Sequence, residues 1–137
     1  MTFAFDMYDT VRSHPYLKNF CCVMEGHPVK IPFPLSKPYI CFGTEKQSYE
    51  YLPGDENGIV ESEIMSVRIT VPNGFNSDYC RECARIVILA IDEYDTDKRI
   101  ISVSAGKCAF DEHSYGYSLK LEFGLRPVRK IRGDAVE

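Results

Sequence analysis

The chain has 137 residues, which is long enough for one domain with a hydrophobic core and too short for two. Hydrophobic residues make up 45% of it and charged residues 26%, a composition that is typical of folded proteins and excludes a disordered chain. The formal net charge of −4 lacks the basic surplus that phosphate-binding proteins carry, so we expect no specific binding of nucleic acid.

Signals for secretion or membrane insertion are not expected. Residues 1–6 show no basic region followed by an apolar run, which predicts that there is no signal peptide. The longest apolar run, residues 86–91, is far below the roughly 20 residues needed to cross a bilayer, so we expect no membrane partner. Six cysteines at irregular spacing then predict free thiols in a reducing cytosol rather than a disulfide framework.

The first predicted element is a short amphipathic helix over residues 3–13, which ends because the residue before Pro15 avoids the α region. Its apolar residues recur at helical spacing: Phe3, Met7, Tyr8 and Val11. Residues 20–24 are a compact apolar run and predict a short strand. Three prolines within residues 31–38 fix φ and remove backbone donors, which predicts an extended connector outside the hydrogen-bonded sheet.

A long hairpin with an acidic tip is predicted next. Residues 39–42 are apolar on both alternating faces, which predicts a strand covered on both sides, and residues 45–52 are its polar continuation. Turn-forming residues 53–58 lead to a second strand with clear alternation over residues 65–71. The hairpin is rich in carboxylates: Glu50, Asp55, Glu56, Glu61 and Glu63. Such a hairpin is most often a solvated loop, and as a functional feature it fits a surface that repels nucleic acid or docks a basic partner.

A second helix is predicted after the turn at residues 72–74, with Ser77 as its N-cap and acidic residues in its first turns. One stripe of this helix is apolar and is expected to face the sheet: Cys80, Cys83, Ala84, Val87, Ile91 and Tyr94. Leu89 lies in the middle of the polar arc, with Ile88 at its border. A singly exposed leucine is common and needs no special explanation, and the alternative is a contact with a neighbouring subunit.

Two further strands complete the predicted sheet. Residues 101–105 alternate between apolar side chains and serine, and a turn at residues 110–116 leads to the clearest alternation in the chain, residues 117–125. Together these elements predict an α+β fold for residues 1–125, with two helices packed on one mostly antiparallel sheet and a long hairpin extension. The basic residues 126–137 lack a period and predict a tail that is mobile or ordered on assembly.

Residues capable of chemistry are few. Cys80 and Cys83 form a CxxC motif, and with Cys21 and Cys22 they supply enough thiolates for a zinc site. The CxxC cysteines lie on the apolar stripe of a helix, which favours structural thiols over a zinc or redox centre. Residues 111–113, Asp-Glu-His, fall in a predicted turn where polar residues are expected anyway. We therefore predict no catalytic residue, no metal and no cofactor.

The element order resembles that of the tail terminators, the small tail-completion proteins of tailed bacteriophages and of phage-tail-like particles. The resemblance covers roughly residues 3–125 and includes no catalytic fingerprint. Its motifs are Tyr8-Asp9 in the first helix, the proline-led strand of residues 34–43, residues 67–72 with the following Gly74 loop, Cys80 opening the second helix, and the hairpin of residues 104–111.

This resemblance implies a structural protein of the virion tail that is assembled in the cytoplasm of the bacterial host, and not an enzyme. Its copies would form a ring, most simply a hexamer, that caps the tail tube and joins it to the neck or head. The implied partners are further copies of the chain, the tail tube protein, and sheath and neck or connector proteins. DNA would pass through the lumen without specific binding. The residues expected at interfaces are Ile88, Leu89, Glu50, Asp55, Glu56 and Glu61.

Two other functions remain open at this point. A neck or head-completion protein, or another structural protein associated with the tail tube, shares much of the same pattern. A small zinc or redox protein that uses Cys80 and Cys83 is less favoured, and stoichiometric zinc would support it.

Overall fold

A computed structural model of the protein describes residues 2–25, 37–52, 58–112 and 115–130. The described residues form two helices and seven strands, which are α1 (Phe3–Val11), β1 (Cys21–Met24), β2 (Tyr39–Tyr51), β3 (Ile59–Pro72), α2 (Ser77–Tyr94), β4 (Ile100–Ala105), β5 (Ala109–Asp111), β6 (Gly116–Leu125) and β7 (Val128–Lys130). The strands form one sheet in the order β1-β2-β3-β6-β4, in which β5 pairs with β6 and β7 pairs with β3. The predicted α+β fold is confirmed.

The sheet is mostly antiparallel, and only β1 and β2 pair in parallel. The long β2–β3 hairpin is confirmed, because pairing runs from Tyr39 opposite Thr70 to Tyr51 opposite Ile59. Its tip, residues 53–57, lies outside the described residues, as does most of the predicted proline-rich connector. β3 is the central strand of the sheet, since it pairs with β2 on one side and with β6 and β7 on the other.

Helix α1 is capped by Thr2, whose Oγ1 accepts a 3.2 Å hydrogen bond from the Phe5 backbone N–H. The histidine in the loop that follows the helix, His14, is buried and links the two helices. His14 Nδ1 accepts from the Tyr16 backbone N–H at 3.2 Å, which leaves the proton on Nε2 to be donated to Glu93 Oε2 at 3.2 Å. His14 thus joins the end of α1 to the end of α2.

Helix α2 begins with a different cap from the one predicted. Asn76, and not Ser77, is the N-cap, because Asn76 has extended backbone (φ −106°, ψ 177°) and its Oδ1 accepts from the Tyr79 N–H at 2.9 Å. Ser77 is already the first helical residue. The apolar stripe is confirmed, and its buried residues are Cys80, Cys83, Ala84, Val87, Ala90 and Ile91.

The core lies between the helices and one face of the sheet. α1 packs on β1, β2 and β3, α2 packs on β3 and β6, and the two helices also contact each other. The alternation predicted for β3 and β6 is confirmed, because the helix-covered face buries Met65, Val67, Ile69, Val71, Leu119, Leu121, Phe123 and Leu125. Burial of such side chains is the main stabilising contribution to the fold.

The opposite face of the sheet is more polar. Ser118 Oγ accepts hydrogen bonds from Arg68 Nη1 and from the Thr70 hydroxyl, each at 3.4 Å. Tyr39 is buried on this face, whereas Cys41 is only half-buried. The two-sided cover that the sequence predicts for the start of β2 is therefore complete at Tyr39 and partial at Cys41.

Two expectations about the C-terminal third are corrected. The predicted turn at residues 110–116 is shorter, because Ala109–Asp111 forms β5 and pairs with β6. The tail is not irregular throughout, because Val128–Lys130 forms strand β7. This strand pairs with the part of β3 that extends beyond the end of β6. Three residues are too few to show a period, which is why the sequence pattern missed β7. Residues 131–137 lie outside the described residues.

Candidate assembly surface

Exposed apolar side chains gather in two regions of the sheet. One is the far half of the β2–β3 hairpin, and the other is the edge formed by β4 and β5. The exposed side chains in these regions are Tyr49, Tyr51, Ile101, Val103, Phe110 and Tyr115. A single exposed apolar residue is ordinary, but a group of them marks a contact surface.

The first region is a projecting arm, which we define as residues 45–51 of β2 paired with residues 59–63 of β3, with β7 alongside. The two paired segments contain four acidic residues and one basic residue, and β7 adds Arg129 and Lys130. Tyr51 is 91% exposed and Tyr49 is 55% exposed. Both rings lie on the same face as Glu61, because Tyr49 and Glu61 are cross-strand partners and side chains alternate between faces. The arm therefore presents a face with two exposed tyrosine rings and one half-buried carboxylate, Glu61.

The second region is the outer strand β4, the last strand of the sheet within the described part of the chain. Its sequence, Ile-Ile-Ser-Val-Ser-Ala, contains neither a charged residue nor a proline, the usual features that protect edge strands from pairing. Ile101 is 64% exposed and Val103 is 42% exposed. Val103 is the cross-strand partner of Phe123 and so lies on the helix-covered face, but α2 packs on β3 and β6 and leaves Val103 exposed beyond them.

Basic residues border β4 at both ends. Lys98 and Arg99 precede the strand, Lys107 follows it, and none of the residues 98–110 is acidic. Arg126 is held beside the same edge, because its backbone N–H donates to the Arg99 carbonyl at 2.7 Å. We call this surface, residues 98–110 with Arg126, the β4 edge. It is an apolar strand with a basic border.

On α2, Leu89 is 57% exposed, as its position on the helical wheel predicts. Ile88 is half-buried and packs against the core. The surrounding polar arc contains an ion pair in which Arg85 Nη2 lies 2.6 Å from Glu82 Oε1. The exposure of Leu89 is confirmed, whereas its contact with a neighbouring subunit stays a prediction.

The acidic residues of the predicted interface do not share one surface. Glu50 is exposed on the arm, and it lies on the face opposite Glu61, because it pairs with Val60. Asp55 and Glu56 lie outside the described residues. The two predicted α2 residues belong to the helix layer, separate from the arm.

Glu61 lines an open cleft of about 320 Å³ between α1 and the arm. Asp6 and Glu63 also line the cleft, and among the described residues Arg99 is its only cation. Glu63 is 5% exposed, and its Oε1 accepts a 3.3 Å hydrogen bond from the Thr44 hydroxyl. Burial raises the pKa of the Glu63 carboxyl, and the hydrogen bond from Thr44 opposes this shift. The cleft therefore carries net negative charge.

Arg99 is positioned by packing and by the turn after α2. Its guanidinium lies over the Phe3 ring, 5.6 Å from the centroid, and its Nε is buried without a hydrogen-bond partner among the described residues. The buried carboxylate of Asp95 accepts from the backbone N–H groups of Arg99 and Ile100, each at 2.9 Å. Asp95 thus fixes the start of β4 to the end of α2.

The sequence predicted Glu63 only as one carboxylate of the acidic hairpin and gave no indication of Arg99 as a site residue. The position of Glu63 could have been predicted from the sequence. Alternate residues of a strand lie on the same face, so Glu63 shares the helix-covered face with Met65 and Val67. The position of Arg99 depends on how α1 packs beside the turn after α2, which no local pattern encodes.

The cysteines have the properties of structural thiols. All six are free, and both members of the CxxC motif are buried. Burial, with a smaller contribution from the neighbouring Cys108 thiol, raises the pKa of Cys80 to about 12, and burial also raises the pKa of Cys83. Burial raises the pKa of Cys22 to about 11. These thiols are protonated at neutral pH, which disfavours redox chemistry.

The acid and base group considered at residues 111–113 is only partly described. Asp111 is the last residue of β5 and is half-buried, Glu112 is exposed, and His113 lies outside the described residues. Within the described ranges, no three or more His, Cys, Asp and Glu side chains are grouped so that they could hold a metal ion.

Comparison with known proteins adds no relative. No protein-family model matches the chain, and no curated protein matches it by sequence. Neither of the two helices in the described residues has the length and apolar character to span a membrane. The motifs of the chain and the exposed surfaces of the arm and the β4 edge are the features that bear on its function.

Proposed function

We propose that this chain is a tail terminator of a tailed bacteriophage or of a phage-tail-like particle. Its copies form a ring, most simply a hexamer, that caps the finished tail tube and joins it to the neck or head. Its role is structural, and its site of action is the virion tail, assembled in the cytoplasm of the host. The proposal begins from the resemblance of the sequence motifs and is supported by where those motifs lie in the fold.

The motifs occupy the helices and the sheet. Tyr8 lies on α1, Tyr39 opens β2, Val67 and the residues after it end β3, Cys80 lies near the start of α2, and Phe110 lies on β5. The element order of helix, strand, long hairpin, helix and two-strand return agrees with the order expected for this family.

The observation that carries the proposal is the presence of two dissimilar exposed surfaces within the described residues of one small domain. The arm carries two exposed tyrosines, whereas the β4 edge is apolar and bordered by basic residues. A subunit with two different contact surfaces joins its neighbours head to tail, and such contacts close into a ring when the rotation between copies allows it. An unprotected edge strand also fits a subunit whose edge is covered on assembly.

The remaining partners follow from the position of such a ring. Its two faces contact the tail tube protein on one side and neck, connector or sheath proteins on the other. DNA passes through the lumen without specific binding, and carboxylates such as Glu50 would repel its phosphates if they line that passage.

Negative-stain microscopy of the purified chain with its tail tubes tests the proposal. We expect closed rings, and tubes that carry one ring at one end. A ring that binds only neck complexes would favour the head-completion alternative. A chain that stays monomeric and never associates with tubes would contradict the proposal.

Leu89→Asp tests the α2 surface in the same assay. The variant should fold normally, because Leu89 is 57% exposed, and its ring formation should be weaker, because a carboxylate replaces an apolar contact. Thr10→Asp, which adds the same charge at an exposed position of α1, is the matched control and should assemble as the wild type does. Unchanged ring formation by Leu89→Asp would remove Leu89 from the interface.

A further inference from the structure

We propose that Cys80 and Cys108 form a reversible disulfide when the protein meets a low-molecular-weight disulfide such as oxidised glutathione. The crosslink would join the start of α2 to the connection between β4 and β5. The inference concerns a single chain and goes beyond the proposed function, because it requires neither a ring nor a tail tube.

The two thiols meet where the start of α2 packs on the sheet. Cys80 is fully buried, and its Sγ lies 3.9 Å from the Ile69 carbonyl oxygen and 3.8 Å from the Tyr117 carbonyl oxygen. Cys108 is half-buried, and its Sγ lies 3.9 Å from the Ser77 carbonyl oxygen in the first turn of the same helix. The Cys80 and Cys108 side chains are also hydrogen-bonded to each other, so the two thiols are direct neighbours.

The backbone on both sides of Cys108 is fixed to β6. The Gly106 backbone N–H donates to the Lys120 carbonyl at 2.8 Å, and Ala109 pairs with Ser118. Cys80 is fixed in turn by α2. Two thiols that rigid elements hold beside each other have a high effective concentration, which favours a disulfide between them over a mixed disulfide with a small thiol.

The other member of the CxxC motif has a different partner. Cys83 is 1% exposed, and its thiol is hydrogen-bonded to the Tyr79 hydroxyl. Cys80 is instead the neighbour of Cys108, which lies beyond β4 in the sequence. The fold therefore favours a pairing of Cys80 with Cys108 that the CxxC spacing does not indicate.

The reaction begins at Cys108, because its half-buried sulfur is the one that a small oxidant can reach. The Cys108 thiolate attacks one sulfur of oxidised glutathione, and one glutathione leaves as a thiolate that takes up the proton lost by Cys108. The Cys80 thiolate then attacks the Cys108 sulfur of the mixed disulfide, and the second glutathione leaves and takes up the proton lost by Cys80. Two protein thiols are thereby oxidised, and one glutathione disulfide is reduced to two thiols.

Protonation of Cys80 slows the second step without preventing it. Burial raises the pKa of Cys80 to about 12, so only a small fraction of this thiol is ionised at neutral pH. The rate of the closing step should therefore rise about tenfold with each pH unit well below that pKa. Slow closure fits a stoichiometric crosslink and not the rapid exchange of a redox enzyme.

The crosslink would distinguish the two environments of the proposed function. Thiols stay reduced in the cytosol, where assembly takes place, whereas released particles meet oxidising conditions. Cys108 belongs to the β4 edge, so the disulfide would fix one end of that edge to α2 after assembly. This consequence rests on the proposed function, and the crosslink itself does not.

Peptide mapping of the oxidised protein tests the pairing. The purified chain is incubated with excess oxidised glutathione at mildly alkaline pH, its remaining thiols are blocked with N-ethylmaleimide, and the single-chain band of a non-reducing gel is digested with trypsin. Trypsin cuts after Arg81, which places Cys80 in residues 69–81 and Cys83 in residues 82–85, and residues 108–120 carry Cys108. We expect residues 69–81 joined to residues 108–120, and loss of this product after treatment with dithiothreitol.

Two variants make the test specific. Cys108→Ser should abolish the crosslink, whereas the control Cys83→Ala should retain it, and circular dichroism shows whether each variant folds. Oxidation should raise the Tm of the wild-type chain by roughly 5–15 °C, because the disulfide constrains the unfolded chain between the two cysteines. The Tm of Cys108→Ser should not respond to the oxidant.

The outcomes separate this inference from the proposed function. A folded, oxidised chain without the crosslink between residues 69–81 and 108–120 would overturn the inference, and so would a crosslink that joins residues 82–85 instead. Either result would leave the tail-terminator function standing, because the measurement uses no tail tubes. A chain that forms the crosslink but never caps tubes would support the inference and contradict the proposed function.

Discussion

Val103 and Phe123 are partners across β4 and β6 and lie on the same face of the sheet, yet Phe123 is 1% exposed and Val103 is 42% exposed. The difference comes from the layer above them. α2 packs on β3 and β6, so the helical cover ends one strand before the sheet does. The comparison teaches that an apolar strand face becomes core only where a second layer covers it, and is otherwise available to a partner.

The same contrast appears along a single strand. β2 begins with Ile40 and Phe42 fully buried and ends with Tyr51 at 91% exposure. The helices cover the first part of the strand, and the arm extends past them. Substitutions in the covered and uncovered parts should therefore separate effects on folding from effects on assembly.

The largest expected effect is in the covered part. Phe123→Ala should lower the free energy of unfolding by about 3–5 kcal/mol, because it removes a fully buried ring and leaves a cavity. Val103→Ala, on the paired residue, should cost less than about 1 kcal/mol, because little buried area is lost. Denaturant unfolding followed by circular dichroism measures both. Equal losses would show that α2 covers β4 as well as it covers β6.

The next effect concerns the turn that fixes the β4 edge. Asp95→Ala should lower the free energy of unfolding by about 2–3 kcal/mol, because two backbone N–H groups lose their acceptor in a buried site. Asp97→Ala is the control, and it should change stability by less than about 0.5 kcal/mol, because its side chain is exposed. If both variants were equally stable, the hydrogen bonds to Asp95 would have no part in holding the edge.

A smaller effect depends on pH. The unfolded Glu63 carboxyl loses its proton near its ordinary pKa of 4.5, whereas burial makes the folded carboxyl keep it to higher pH. The folded state thus binds more protons above pH 4.5, and the free energy of unfolding falls as pH rises through this window. Glu63→Gln should remove this part of the decline and stabilise the protein at neutral pH. The control Glu50→Gln should keep the wild-type decline in thermal melts from pH 4 to pH 7, and a parallel curve for Glu63→Gln would contradict the assignment.

The smallest effect on stability is expected on the arm. Tyr51→Ser should change the free energy of unfolding by less than about 0.5 kcal/mol, because the ring is almost fully exposed. Tyr39→Ser at the buried start of the same strand should cost at least about 2 kcal/mol. A large loss for Tyr51→Ser in a monomeric sample would mean that the ring packs within its own chain.

Much of the covered part follows from local sequence patterns. Alternation in β3 and β6 and the apolar stripe of α2 determine which residues meet, so residues such as Val67, Leu121 and Val87 could be assigned to the core in advance. The cap of α2 was placed one residue late, because Asn76 and Ser77 are both good capping residues and only the backbone conformation distinguishes them.

The uncovered part could be predicted less well, because exposure depends on where the helices end above the sheet. Alternation identifies β4 as a strand but does not show that its apolar residues lack cover. The cleft residues Glu63 and Arg99 come from distant segments, and their proximity depends on the packing of α1. The exposure of Leu89 could be predicted, because a helical wheel places this residue within the polar arc of α2.

β7 gives the arm a third strand from the far end of the sequence. A two-stranded hairpin is only marginally stable in water, so the arm gains its rigidity from Val128–Lys130. During synthesis these residues leave the ribosome after every other described element has been made. The arm therefore gains its third strand only after the rest of the described fold has been synthesised.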